Sequence, residues 1–154
     1  MSNSQPLIRA RSSIGDAAVD GLLNGVAAGV VMAIYLMISG VLTGAGLAAT
    51  LSAFDLGQGV SPVRGAVIHL AVAAIYGMAF GLIYRLIGRR KPVGRGGTML
   101  MGVTFSMLLW LITQMAFAAG ITVALNGLPP VHLAAAHLVY GATLGWLAGR
   151  ARAD

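Results

Sequence analysis

Two histidines, His69 and His137, are the residues best suited to chemistry. Each stands seven positions after a proline, Pro62 or Pro130, that opens a long apolar run. At 1.5 Å per residue, a helix starting at that proline carries the imidazole about 10 Å along its axis. Four positions further on, each has a small neighbour on nearly the same face, Ala73 or Gly141. Two facing imidazoles beside small residues could hold a haem edge-on as axial ligands inside a helix bundle. One alone could bind the magnesium of a chlorophyll. The plainer reading is structural: each ring hydrogen-bonds a backbone carbonyl, or a tyrosine such as Tyr76 or Tyr140, on a neighbouring helix. A pH-sensing or transport role is a third. His132, in the first turn after Pro130, reads as a solvated interface residue.

Other chemistry is poorly provided for. No Asp, Glu, Lys or Arg lies deep in an apolar run, whereas a proton- or sodium-coupled carrier needs an intramembrane carboxylate. Asp16 and Asp20 sit at the start of the first run, at first-turn positions that favour acids. Asn24, Thr104, Ser106, Thr113, Gln114 and Thr143 are scattered and form no polar stripe for a channel; they read as interhelical hydrogen-bond partners. Ser106 would be a nucleophile only with a base beside it. Its helix is expected to hold it nearer the cytoplasmic side, away from both histidines. The eight methionines share no ligand face with the histidines, so they read as soft packing rather than a copper site. Gly94–Thr98 (GRGGT) lacks the GK[ST] of a phosphate-binding loop, and neither HExxH nor GxSxG occurs. There is no cysteine. No catalytic residue and no metal site are assigned, and the chain is not expected to be an enzyme.

The elements that must position these residues are membrane helices. Apolar residues make up 58% of the 154, before 22 glycines are counted, and charged residues only 9%. A soluble domain carries roughly 25% charged residues, so a soluble enzyme, a disordered tail and a free nucleic-acid binder are all excluded. Four stretches reach the ~20 apolar residues needed to cross a bilayer: 19–43, 62–86, 98–119 and 130–149. The first exceeds the roughly 7–15 residues of a signal-peptide core and reads as a retained span. Between them lie an outer segment, 44–61, too short to cross and expected as a surface helix or re-entrant turn; a basic loop, 87–97; and an outer turn, 120–129. Residues 1–18 and 150–154 are the tails. The net charge of +6 is distributed asymmetrically. Arg9, Arg11, Arg85, Arg89, Arg90, Lys91, Arg95, Arg150 and Arg152 flank one face, and Arg64 alone flanks the other. By the positive-inside bias both termini are cytoplasmic. Arg89, Arg90, Lys91 and Arg95 are placed to attract anionic lipid headgroups, at about 1 kcal/mol per charge. A bacterial inner membrane is the expected location.

The second and fourth spans align without gaps at an offset of 68: Gly59, Pro62, Val63, Ala66, His69, Leu70, Ala74, Gly77 and Gly81 match Gly127, Pro130, Val131, Ala134, His137, Leu138, Ala142, Gly145 and Gly149. The first and third are related more weakly, through Gly25–Val26 and Gly102–Val103. This implies two repeated helical hairpins about an axis along the membrane normal. Gly21, Gly25 and Gly29, Gly77 and Gly81, and Gly141, Gly145 and Gly149 recur four apart. Small residues at that spacing let helix backbones approach in lipid, either within the bundle or against another membrane subunit.

A Gly-rich helix with Gly102, Met107, Gln114 and Met115 leads to the turn Leu128–Pro130, and then to His137–Tyr140 (HLVY). In this, mainly in its second half, the chain resembles small bacterial inner-membrane proteins of the YagU-like kind, a domain of unknown function. The resemblance implies a four-helix membrane protein and assigns no catalytic residue. The expected fold is thus an all-α polytopic membrane protein of four transmembrane helices. The expected function is a non-catalytic membrane subunit or scaffold, self-associating or held in a larger complex. The alternatives are a haem- or tetrapyrrole-binding protein using His69 and His137, and, more remotely, a small-solute transporter.

Overall fold

The computed structural model describes residues 13–55, 60–88, 93–120 and 129–150. They form five helices and no strand: α1 (Ile14–Leu42), α2 (Leu47–Ser52), α3 (Pro62–Gly88), α4 (Arg95–Ala118) and α5 (Pro130–Arg150). All but the six-residue α2 are long and apolar enough to cross a membrane. The protein is an all-α polytopic membrane protein. Arg89, Arg90 and Lys91 lie outside the described residues; Arg95 is the exposed first residue of α4.

A capping box sets the start of α1. Ser13 Oγ accepts from the Asp16 backbone N–H at 3.0 Å, and Asp16 Oδ2 accepts from the Ser13 N–H at 2.6 Å. Two of the helix's unpaired donors are satisfied this way, and helical structure begins at Ile14. Asp20 consequently lies in the second turn, which corrects the first-turn placement expected for it. There it lines a cavity of about 120 Å³ with Asn24, Tyr84 and Arg85. At the other end of α1, Thr43 Oγ1 donates to the Ser39 and Gly40 carbonyls at 3.0 and 3.1 Å. Gly44 then turns the chain at φ +88°, a conformation that disfavours any residue with a Cβ. The short α2 folds back over the junction of α1 and α3. Gly40 accommodates Thr50 there, and Gly65 accommodates the Leu51 backbone.

The long helices are arranged in the order α3, α1, α5, α4. α1 packs on α3 and on α5, and α4 packs on α5, whereas the α3 and α4 backbones approach at few points and meet through side chains, Phe80 against Phe105 at 5.5 Å between ring centroids. The buried core is small: Ala28, Met32 and Leu36 of α1, Ala73, Phe80 and Tyr84 of α3, and Leu133, Ala136, Tyr140, Leu144 and Ala148 of α5. α4 buries only Thr98, Gly102 and Ser106, and it turns Leu100, Ile112 and Met115 outward at 67%, 62% and 66% exposure. Lipid is as apolar as leucine, so a membrane bundle need not hide such residues. Close packing must hold its helices instead.

That packing is backbone to backbone. A Cβ on Gly25 would lie 2.7 Å from Gly77 Cα, and one on Gly81 would lie 2.9 Å from Gly21 Cα. Between α4 and α5, a Cβ on Gly102 would lie 2.9 Å from Gly145 Cα, and one on Gly141 2.7 Å from Ser106 Cβ. Gly29 abuts the Ala73 methyl, at 2.6 Å from an added Cβ, while Gly149 has only ordinary van der Waals neighbours.

Candidate functional site

His69 is buried on α3, and its Nε2 lies 3.0 Å from the Gly29 carbonyl oxygen of α1. The carbonyl can be reached because Gly29 has no side chain to cover it. Phe54, just past α2, packs against the ring at 4.6 Å between centroids. His137 behaves differently. Its Nδ1 lies 2.8 Å from the Leu133 carbonyl, one turn back on its own helix. Aligning Gly25–Val26 with Gly102–Val103 puts Ser106 where α1 has Gly29. The serine hydroxyl bonds the His137 backbone, and the His137 ring bonds its own helix.

Ser106 Oγ donates to the backbone carbonyl of His137. This corrects the expectation that helix depth separates the serine from both histidines. Carbonyls of a helix point toward its C-terminus, so that of His137 reaches down to the level at which α4 and α5 come closest. The hydroxyl donates to this carbonyl and, among the described residues, is bonded to no imidazole nitrogen. Thr113 and Thr143 bond the Leu109 and Val139 carbonyls of their own helices, at 3.0 and 2.8 Å, rather than neighbouring helices as expected.

Two further hydroxyl bonds cross the bundle. Tyr140 donates to the Ala73 carbonyl at 2.8 Å, joining α5 to α3. Thr98 Oγ1 lies 3.1 Å from Tyr84 Oη, joining α4 to α3 at the opposite end. Tyr140→Phe should lower bundle stability by about 0.6 kcal/mol, and by no more than about 1.7. Denaturant titration of the detergent-solubilised protein checks this. A larger loss would mean that the ring, and not the hydrogen bond, has been displaced.

Between α3, α4 and α5 lies a cavity of about 230 Å³. Both histidines line it, with Tyr76, Thr113, Phe117 and Tyr140, and Phe54 closes it at the α2 end. The walls are otherwise apolar. Neither His69 Nδ1 nor His137 Nε2 is hydrogen-bonded to a described residue. Among the described residues no group of three His, Asp or Glu side chains could hold a metal ion.

The sequence reading missed the ion pair that fastens this end of the bundle. Arg64 Nε lies 2.5 Å from Asp55 Oδ1, and Nη2 lies 2.7 Å from Oδ2. The Ser61 backbone N–H donates to Oδ2 at 2.8 Å. The Asp55 side chain is 1% exposed and that of Arg64 49%. Opposite charges on either side of a short turn, one on the only span-flanking basic residue of its face, were the available signal. Phe54 had none, since an aromatic in an apolar segment reads as lipid-facing.

The model of a family of unknown function (DUF6789) matches residues 16–154. No curated protein and no solved structure matches the chain.

Proposed function

Because the chain belongs to the DUF6789 family, whose function is unknown, its own geometry has to supply the reading, and we propose a non-catalytic integral membrane subunit or scaffold. The observation that carries this is the use made of its intramembrane polar groups. The side-chain hydroxyls of Ser106, Tyr140, Thr113 and Thr143, and one nitrogen of each buried histidine, are bonded to backbone carbonyls, as structural polar groups in a bundle are, while Ser39 Oγ, Trp110 Nε1 and Gln114 Oε1 are buried without a bond to a described residue. The glycine faces of α1, α3 and α5 meet partners within the chain, so this reading places the docking face elsewhere. It assigns that role to the outward face of α4, the least covered span. The partner is a second copy or another membrane subunit. Two repeated hairpins, termini on the cytoplasmic side of a bacterial inner membrane, kinship with YagU-like proteins, and a basic loop on anionic headgroups belong to the same reading.

The test is cross-linking of the full chain in its native membrane, followed by native electrophoresis. The expected result is an assembly of fixed stoichiometry that Leu108→Trp with Ile112→Trp on α4 dissolves, while the released chain stays folded. A chain that is monomeric in its own membrane would sink the proposal. The tetrapyrrole reading has less support. His69 gives Nε2 to Gly29, and the cavity is small for four pyrrole rings. An absorption band in the Soret region, shifting on reduction and lost in His137→Ala, would establish it nonetheless. Solute flux in liposomes, abolished by a single polar substitution, would do the same for transport.

A further inference from the structure

The cavity between α3, α4 and α5 selects a ligand by size, depth and hydrogen-bonding sense. An apolar cavity of roughly 150 Å³ takes one benzene ring, and drug-sized pockets begin near 300 Å³. At about 230 Å³ this one has room for a single substituted six-membered ring. It lies within the span, where a charged group is costly, so the ring is uncharged. The α3 and α4 backbones approach at few points, and half-exposed Val72 and Tyr76 edge the cavity between them. A hydrocarbon tail can leave through it into lipid.

The polar atoms settle which ring. An imidazolium without a counter-charge would be as costly there as any other ion, so both histidines are neutral. A neutral imidazole has one N–H and one acceptor nitrogen. His69 gives its N–H to the Gly29 carbonyl, and His137 gives its own to the Leu133 carbonyl. Each ring therefore offers the cavity an acceptor: Nδ1 of His69 and Nε2 of His137. At these two rings a ligand carrying only carbonyl oxygens would set acceptor against acceptor; of the hydroxyls lining the cavity, Thr113 and Tyr140 already donate to backbone carbonyls and Tyr76 stands half-exposed at the gap between α3 and α4. The geometry points to a site for a lipid-soluble hydroxylated ring, a phenol or hydroquinone, whose O–H groups donate to His69 and His137 and whose tail leaves between α3 and α4. This goes beyond the scaffold reading and does not depend on it.

The test uses the full chain in phosphatidylcholine nanodiscs, with empty nanodiscs as the blank. Radiolabelled decylubiquinol, kept reduced, is compared with decylubiquinone. The expected result is saturable binding of about one quinol per chain, with the quinone weaker by about tenfold or more because its oxygens leave two buried acceptors unpaired. His137→Leu removes one acceptor and Leu109→Trp fills the cavity; each should abolish the preference, with circular dichroism confirming that the helices persist. Comparing the two redox forms on the wild-type chain needs no variant, so a misfolded variant does not blunt the test. Absence of saturable binding, equal affinity for the two forms, or a stoichiometric phospholipid that the quinol cannot displace would each overturn the assignment. Loss of the cross-linked assembly would instead sink the scaffold reading and leave this one standing.

Discussion

Gly77→Leu is expected to separate α1 from α3 and to abolish the folded bundle. A Cβ at Gly77 would lie 2.7 Å from Gly25 N, and the Gly21 carbonyl and Gly25 Cα are also in its way. All three are backbone atoms, so no rotamer change relieves the clash and the helices must move apart. Overpacking a well-filled site costs about 1–3 kcal/mol, which is the range expected for alanine; leucine has three more carbons to place. Separation also forfeits the dispersion contacts that replace the hydrophobic effect in lipid. Gly102→Leu should do the same to α4 and α5, since a Cβ there would lie 2.8 Å from Gly145 N. Gly96→Ala is the control: it faces open space in the first turn of α4. Removing a helical glycine there should be neutral or stabilising by up to about 1 kcal/mol. The readout is the fraction of monodisperse protein on size exclusion after a heating series. A Gly77→Leu protein that survives heating like the wild type would mean the helices are not in contact at this crossing.

The four spans are legible because a bilayer imposes a length, and a run of about twenty apolar residues has few other uses. Glycine faces are legible for a similar reason, since a residue every fourth position lies on one side of a helix. What spacing cannot reveal is the partner. Nothing local to Gly77 says that it meets Gly25. Likewise, α3 and α4 are apolar all round, so no stripe in either marks where their backbones stand apart, and the cavity in that gap is invisible from sequence. The two histidines show the limit most clearly. Each stands seven residues after a proline that opens its helix, and a local reading must treat them alike. Their bonds differ through residues remote in sequence: Gly29, 40 residues from His69, accepts from its ring, and Ser106, 31 residues from His137, donates to its backbone carbonyl. The capping box at Ser13 and Asp16 was equally open to reading, yet an apolar criterion starts the first span at Val19 and passes over it.

Asp55 and Arg64 should not be equivalent in substitution. Breaking a fully buried pair by removing one partner costs about 3–5 kcal/mol, whereas exposed pairs contribute about 0–1 kcal/mol. This pair is mixed, with a buried carboxylate and a half-exposed guanidinium. Arg64→Ala leaves the carboxylate buried with the Ser61 N–H still on it, and the solvent already reaching the arginine makes the loss smaller than for a fully buried pair. Asp55→Ala strips the Ser61 N–H of its acceptor just before α3 begins. The two losses therefore differ in kind. Phe54, the residue next to Asp55, covers His69. Either substitution should therefore open the cavity at the α2 end. Diethylpyrocarbonate labelling read by mass spectrometry reports this directly: His69 should react faster in both variants, with His132 as the internal reference. Unchanged His69 reactivity in a variant that has lost stability would show that Phe54 stays seated without the ion pair, and that the clamp holds the turn but not the cavity.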